Sequence, residues 1–227
     1  YMWQPSYVQS GSGLYPFSVP ETRSIALWAL EHPNVAGVQS FHNAGEMILR
    51  GPGAKLEGRY PAADVRVYDH LGEEGERILP GYDYMVTWKD LYTVYGATTD
   101  YFYRVHGALA FTNELYAPPV DTDGDGEVTD EERMAFNDLL TGGRQYREWR
   151  PVDHPQYGRI EVGGWTFDTN RVPESFLLEE EMHRNAMFVI FHASELPLIR
   201  FGEAEVERLG RELHAVTTDP AADYAPA

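Results

Sequence analysis

Cysteine is absent from the sequence, which excludes disulfides, thiolate metal sites and a thiol nucleophile together. Compartment is left open by that absence. Positive charge is scarce: 18 Lys and Arg stand against 36 Asp and Glu, a formal net charge of -18. A surface this acidic repels a phosphate backbone and argues against nucleic acid as a partner. No apolar run reaches the length of a membrane-spanning helix, and no internal repeat or signal peptide is legible. The chain opens with Tyr1 in "YMWQPSY" rather than with Met, so its first residues are not read as a native N-terminus. What is present suits a globular chain: 227 residues with 43% apolar and 13% aromatic content can bury one sizeable core, as a single domain.

The pattern along the chain alternates helices with short apolar strands. In "PFSVPETRSIALWALEHPN", Pro20 and Glu21 open a helix in which Ile25, Leu27, Trp28 and Leu30 recur at helical spacing before Pro33. "VAGVQSF", residues 35 to 41, reads as a buried strand running into His42. Residues 51 to 84 are rich in Gly, Pro and charge. "ALAFTNEL" is a second buried strand with Glu114 at its end, "EERMAFNDLL" a helix stopped by Gly142 and Gly143, and "GRIEVGGW" a further strand. "PESFLLEEEMHRNAMFVIFHASELP" is the longest helix, with Leu178, Met182, Met187, Phe188 and Phe191 on overlapping faces. Such alternation predicts an α/β fold, a mixed and mostly parallel sheet flanked by helices, with sites at strand ends and the loops after them. His42 and Glu114 stand at such ends.

Residues 121 to 132 match the twelve-residue calcium loop. Asp121, Asp123 and Asp125 supply alternate carboxylates, and Gly126 permits the turn. Glu127 offers a backbone carbonyl, Thr129 a water-mediated ligand and Glu132 a bidentate carboxylate. The helix that usually precedes such a loop is replaced by "LYAPPV". The expectation is a structural calcium site within an insertion at 118–143, which neutralises repulsion among the carboxylates.

Taken with its surroundings, His42 gains a specific meaning. "PFSVPET", "FHNAGEMILRGPG" and "GATTDYFYRVHGALAFTNEL" together resemble the catalytic half of the zinc carboxypeptidases of the carboxypeptidase A family. "HPQYGRIEVGGW" and "FLLEEEMHRNAMFVIFHASELP" look like the end of that catalytic domain in bacterial members. The resemblance implies that residues 1–200 are the C-terminal part of such a domain, followed by a C-terminal helix and linker over 201–227. It implies His42 as the third zinc ligand and Glu114, in the Phe-Thr-x-Glu-Leu pattern, as the glutamate that serves as general base and then acid. Tyr92 matches the tyrosine that closes over a substrate's terminal carboxylate, with Tyr95 close by as a competitor. Thr98 and Thr99 match the floor of the specificity pocket, where the lack of charge argues against basic C-terminal residues. Arg50 lies near enough to assist a carboxylate, although packing or a salt bridge is its more ordinary role.

In that family two zinc ligands come from a His-x-x-Glu motif and the carboxylate-binding arginine from an Asn-Arg pair, both upstream of the stretch that Tyr1 to Pro20 matches. "HLGE" at His70 and "HASE" at His192 both follow His42 and read as structural or chance occurrences. The chain is therefore expected to be an internal fragment, inactive alone, of a secreted or periplasmic zinc exopeptidase. Its substrate would be a peptide or protein with a free C-terminal carboxylate, and its cofactors zinc and calcium. Two alternatives stand beside this. One is a non-catalytic, calcium-stabilised peptide-binding module; the other is an amidohydrolase that deacylates amino acids on the same fold.

Overall fold

Apolar alternation in two short segments places the strands that matter most. The computed structural model describes residues 4–118, 121–167, 169, 171 and 175–196, and the backbone alone of 204–209 and 212–217. Strand β1 spans Gly37–Asn43, β2 Met47–Arg50, β3 Asp83–Val86 and β4 Leu109–Leu115. They form one sheet in the order β1-β4-β2-β3. β1 runs parallel to β4, and β2 parallel to β3, while β2 and β4 are antiparallel. The sheet is thus mixed and mostly parallel, as expected.

Helices cover both faces, because successive residues of β4 point to opposite sides. Phe111 joins Ile48, Tyr68, Leu71 and Phe188 in the larger core, which helices α2 (Ala62–Ile78) and α5 (Ser175–Ser194) close. Ala110 faces the other way into a smaller cluster with Ala26 and Ala29 of α1 (Pro20–Glu31) and with Tyr101 of the short helix α3, Thr98–Tyr101. Beneath the first layer a buried polar chain fixes the register. Gln39 donates to Asn113 at 3.0 Å, Asn113 to Asn185 at 2.9 Å, and Asn185 to the Tyr82 hydroxyl at 3.0 Å and to Glu181 at 2.9 Å. Asn113 is fully buried, so sliding β4 by one residue would leave these groups unpaired.

The stretch 51–84 reads as loop by composition, yet 62–78 is a helix of 17 residues. Pro61 precedes it, Asp64 lies in its first turn, and Tyr68, Leu71, Gly72 and Gly75 form its buried stripe. The two glycines are contact residues rather than breakers. A methyl at Gly72 would strike the Tyr84 ring, and one at Gly75 would lie 2.7 Å from both Ile48 and Phe188. Their absence of a side chain lets α2 approach the sheet, which outweighs the propensity cost of about 1 kcal/mol each.

Two further expectations are corrected. On α1, Ile25, Leu27, Trp28 and Leu30 are all exposed, and it is Ala26 and Ala29 that pack. On α5, Phe188 is buried and Phe191 packs beside it, whereas Leu178, Met182 and Met187 remain exposed. Each helix uses one apolar face against the sheet, and the other apolar positions stay exposed, with Trp28 stacked on His32. The helix expected in 201–227 is absent where backbone is described: 204–209 (β7) and 212–217 (β8) pair as an antiparallel hairpin. The linker expected at the end lies outside the described residues.

Residues 121–167 form a separate appendage. Helix α4 (Asp130–Leu139) follows the acidic loop, and β5 (Tyr146–His154) pairs with β6 (Gly158–Trp165) as a hairpin. Buried Asn137 accepts from the Gln145 backbone at 2.8 Å, and the Gln145 carbonyl accepts from the Thr166 backbone at 2.8 Å, so helix and hairpin are tied together. Among the described residues no helix is long and apolar enough to cross a membrane.

Candidate functional site

Parallel pairing of β1 with β4 aligns His42 directly opposite Glu114. Both strands present their C-terminal ends at the same edge, so two residues 72 positions apart become neighbours. His42 Nδ1 lies 3.1 Å from Glu114 Oε2. Even-numbered residues of both strands share this face, and Ser40 and Thr112 hydrogen-bond one layer below, at 2.6 Å. The pair differs sharply in exposure: the His42 side chain is 68% exposed and that of Glu114 8%. A buried carboxylate thus lies under an accessible imidazole at the edge of the sheet.

Two cavities meet at this pair. The smaller, of about 260 Å³, is floored by uncharged polar groups: Ser40, Thr87, Thr98, Thr99 and Thr112, with Leu49 and Val94 as its apolar wall. The larger, of about 560 Å³, opens on the other side and is walled by Arg133 of α4, by Trp165 at the end of β6, and by Thr166, Phe167, Thr169 and Arg171 after it. His42, Glu114 and Tyr92 line both. Tyr92 is exposed, on the segment that leaves the turn Thr87–Leu91. Thr98 and Thr99 stand at the start of α3, and Thr99 is buried.

The support behind the smaller cavity is a buried acidic knot. Asp100 is fully buried and accepts from the Gly53 backbone at 2.8 Å and from the Tyr60 hydroxyl at 3.0 Å. A methyl at Gly53 would lie 2.6 Å from the Val94 carbonyl, so this glycine is required by close approach. Burial and the neighbouring Asp100 push the Glu57 carboxyl up to about 7, despite Arg104 beside it.

Other residues singled out by the sequence fall elsewhere. Arg50 is not in either cavity of the site: it is buried, donates to the Tyr84 hydroxyl at 2.5 Å and the Gly51 carbonyl at 2.9 Å, and stacks between Tyr68 and Tyr84. Its packing demand explains its conformation, and it lines a different cavity. Tyr95 is likewise outside both cavities of the site. His70 and Glu73 are exposed on α2, and His192 is buried against Phe111 and Phe188, where burial drops its pKa to about 4. Neither His-x-x-Glu string approaches His42.

In the acidic loop, one carboxylate oxygen from each of Asp121, Asp123 and Glu132 lies within 4.8 Å of the others. Asp125 and Glu127 are outside that group. Asp125 instead accepts from the Glu127 backbone at 2.8 Å. Thr129 is the N-cap of α4, in a capping box with Glu132. Glu132 accepts from the backbone and hydroxyl of both Thr129 and Thr122, which holds its carboxyl down at about 2.

Arg133, Arg171 and Trp165 were missed from sequence, because nothing in the string links the appendage to His42. The link is structural: the Asn43 amide, next to His42, donates to the Arg171 carbonyl at 2.8 Å.

The profile of the zinc carboxypeptidases matches residues 4–121, and the chain belongs to that family. Among solved structures, it is similar to carboxypeptidase A from Helicoverpa armigera, with 26% identity over 47% of this chain and 27% of that one, at a TM-score of 0.40. It is also similar to thrombin activatable fibrinolysis inhibitor, at 22% identity over 46% of this chain and 27% of that chain, with a TM-score of 0.40. Likenesses of that size add nothing to the family assignment. The chain therefore spans about a quarter of the length of these structures. No curated protein matches it.

Proposed function

We propose that this chain carries the base and one zinc ligand of a metallocarboxypeptidase that releases C-terminal residues from peptides. The single observation behind this reading is the His42–Glu114 pair, 3.1 Å apart where two cavities meet. The exposed imidazole suits a metal ligand, since its ring nitrogens can reach an ion from a surface position. The donor set is otherwise short: among the described residues the one cluster of three or more metal-binding groups is in the acidic loop. Zinc sites of this type take three protein ligands. We therefore infer that two further ligands come from the longer parent protein. Zinc, when bound, lowers the pKa of a water and polarises a carbonyl.

This chain's own residues then divide the work. Glu114 takes the proton of the attacking water and passes it to the leaving amine, which requires hydrogen-bond reach to both atoms. The smaller cavity receives the C-terminal side chain against neutral Thr98 and Thr99, which favours uncharged residues. Tyr92, exposed between the cavities, closes over the substrate carboxylate. The preceding residues of the peptide lie in the larger cavity. An exported location accords with this activity.

The acidic loop is proposed as a calcium site. Asp121, Asp123 and Glu132 supply oxygens, with Asp125, Glu127 and Thr129 completing the shell on binding. Terbium luminescence titration of the chain should show saturable binding that calcium competes away and that Glu132→Gln weakens. For the peptidase reading, the test is release of phenylalanine from an N-acylated dipeptide by the zinc-loaded parent protein. Turnover supports it, and deacylation without cleavage of the peptide bond would replace it.

A further inference from the structure

The larger cavity has a charge pattern that the peptidase reading does not use. In a chain of net charge -18, its lining carries two guanidinium groups, Arg133 and Arg171, and its one carboxylate is Glu114 itself. Neither arginine has a carboxylate within ion-pair distance among the described residues. Arg171 instead lies over the Phe167 ring, 5.3 Å from its centre. The backbone of each is anchored, Arg133 within the appendage and Arg171 against the main sheet. Arg133 sits on α4, which Asn137 fastens to the hairpin, and the Arg171 carbonyl is fastened to Asn43.

We propose that the appendage is a specificity wall, and that Arg133 and Arg171 select peptides with an acidic side chain immediately before the scissile bond. The inference rests on the peptidase reading for the direction in which a peptide lies. The smaller cavity takes the final residue, so the residue before it enters the larger cavity. There the two unpaired guanidinium groups offer charge-assisted hydrogen bonds to a carboxylate. A neutral side chain finds only Trp165, Phe167 and threonines. Charge selection of this kind is a difference of affinities, with the unpaired cations penalising a neutral partner little and rewarding an acidic one.

The test uses the full-length protein carrying Glu114→Gln, so that binding is read without turnover. Two N-acylated peptides are compared by titration calorimetry, ending Glu-Phe and Gln-Phe. The acidic peptide should bind about fivefold to tenfold more tightly. Replacing both Arg133→Gln and Arg171→Gln should erase the difference, and the Arg→Lys pair should keep part of it. Equal affinities, binding of neither peptide, or a preference that survives the double Gln variant would overturn the proposal. An acid preference in binding with no turnover by the unsubstituted protein would sink the peptidase reading and leave the wall standing. Turnover without acid preference would do the reverse.

Discussion

His42 and Glu114 owe their pairing to a single property of the chain, the parallel register of β1 with β4. Each residue alone is ordinary: an exposed histidine and a buried glutamate with a hydrogen bond. Placed together at one edge of the sheet they are the pair on which the proposed roles of ligand and base rest. Exchanging His42→Ala should therefore weaken zinc binding by the parent protein at least a hundredfold, measured by competition with a chromophoric chelator. The fold should be unaffected, because the ring is exposed and its loss opens no cavity. Their positions at strand ends were legible from the apolar runs, whereas their roles came only from the family resemblance. For Arg50 the more ordinary of its two readings, packing or a salt bridge, is the one its surroundings match, because its guanidinium lies against Tyr68 and Tyr84. Its partners Tyr68 and Tyr84 are on the helix and strand that the composition concealed.

Elements show the same division. Helices with uninterrupted periodicity, α1, α4 and α5, were readable to within a few residues, and so were β1, β4 and β6. Helix α2 was hidden by Gly72 and Gly75, which count against a helix locally and are justified only by the neighbouring strand. Gly72→Ala tests that explanation. Local propensity predicts a gain of about 1 kcal/mol, whereas the Tyr84 contact predicts a net loss of roughly 1–3 kcal/mol from overpacking. Urea unfolding followed by circular dichroism distinguishes the two, and net stabilisation would mean that α2 sits further from the sheet. The acidic loop was legible as a motif, but the capping role of Thr129 and Glu132 was not, because the same residues satisfy both templates. Calcium should therefore stiffen a loop that is already closed. Chelation is expected to lower the melting temperature of the appendage, read by Trp149 and Trp165 fluorescence, without unfolding the main sheet.

At the scale of the whole molecule, β1 is an edge strand of the sheet among the described residues, and α1 and α5 each carry an exposed apolar face. A buried acidic knot also sets the dependence of stability on pH. The Glu57 carboxyl has an ordinary value of 4.5 and is raised to about 7 in the fold. The folded state therefore holds a proton that the unfolded chain has released, so this group's contribution is fully present below pH 4.5 and is lost as pH rises through about 7. Glu57→Gln should remove that loss and raise stability at pH 8 by a few kcal/mol. Denaturant midpoints at pH 5 and pH 8 check it; an unchanged difference between the two would contradict a proton held on Glu57.

Release of the C-terminal residue from an N-acylated peptide should be compared between the zinc-loaded parent protein and its Glu114→Gln variant, with zinc content measured in both. With Glu114 as base, the variant keeps its zinc and loses about two to four orders of magnitude in kcat. A variant that cleaves as fast as the unsubstituted protein, or a parent that binds zinc and cleaves no peptide, would contradict the assignment of this site as a carboxypeptidase centre.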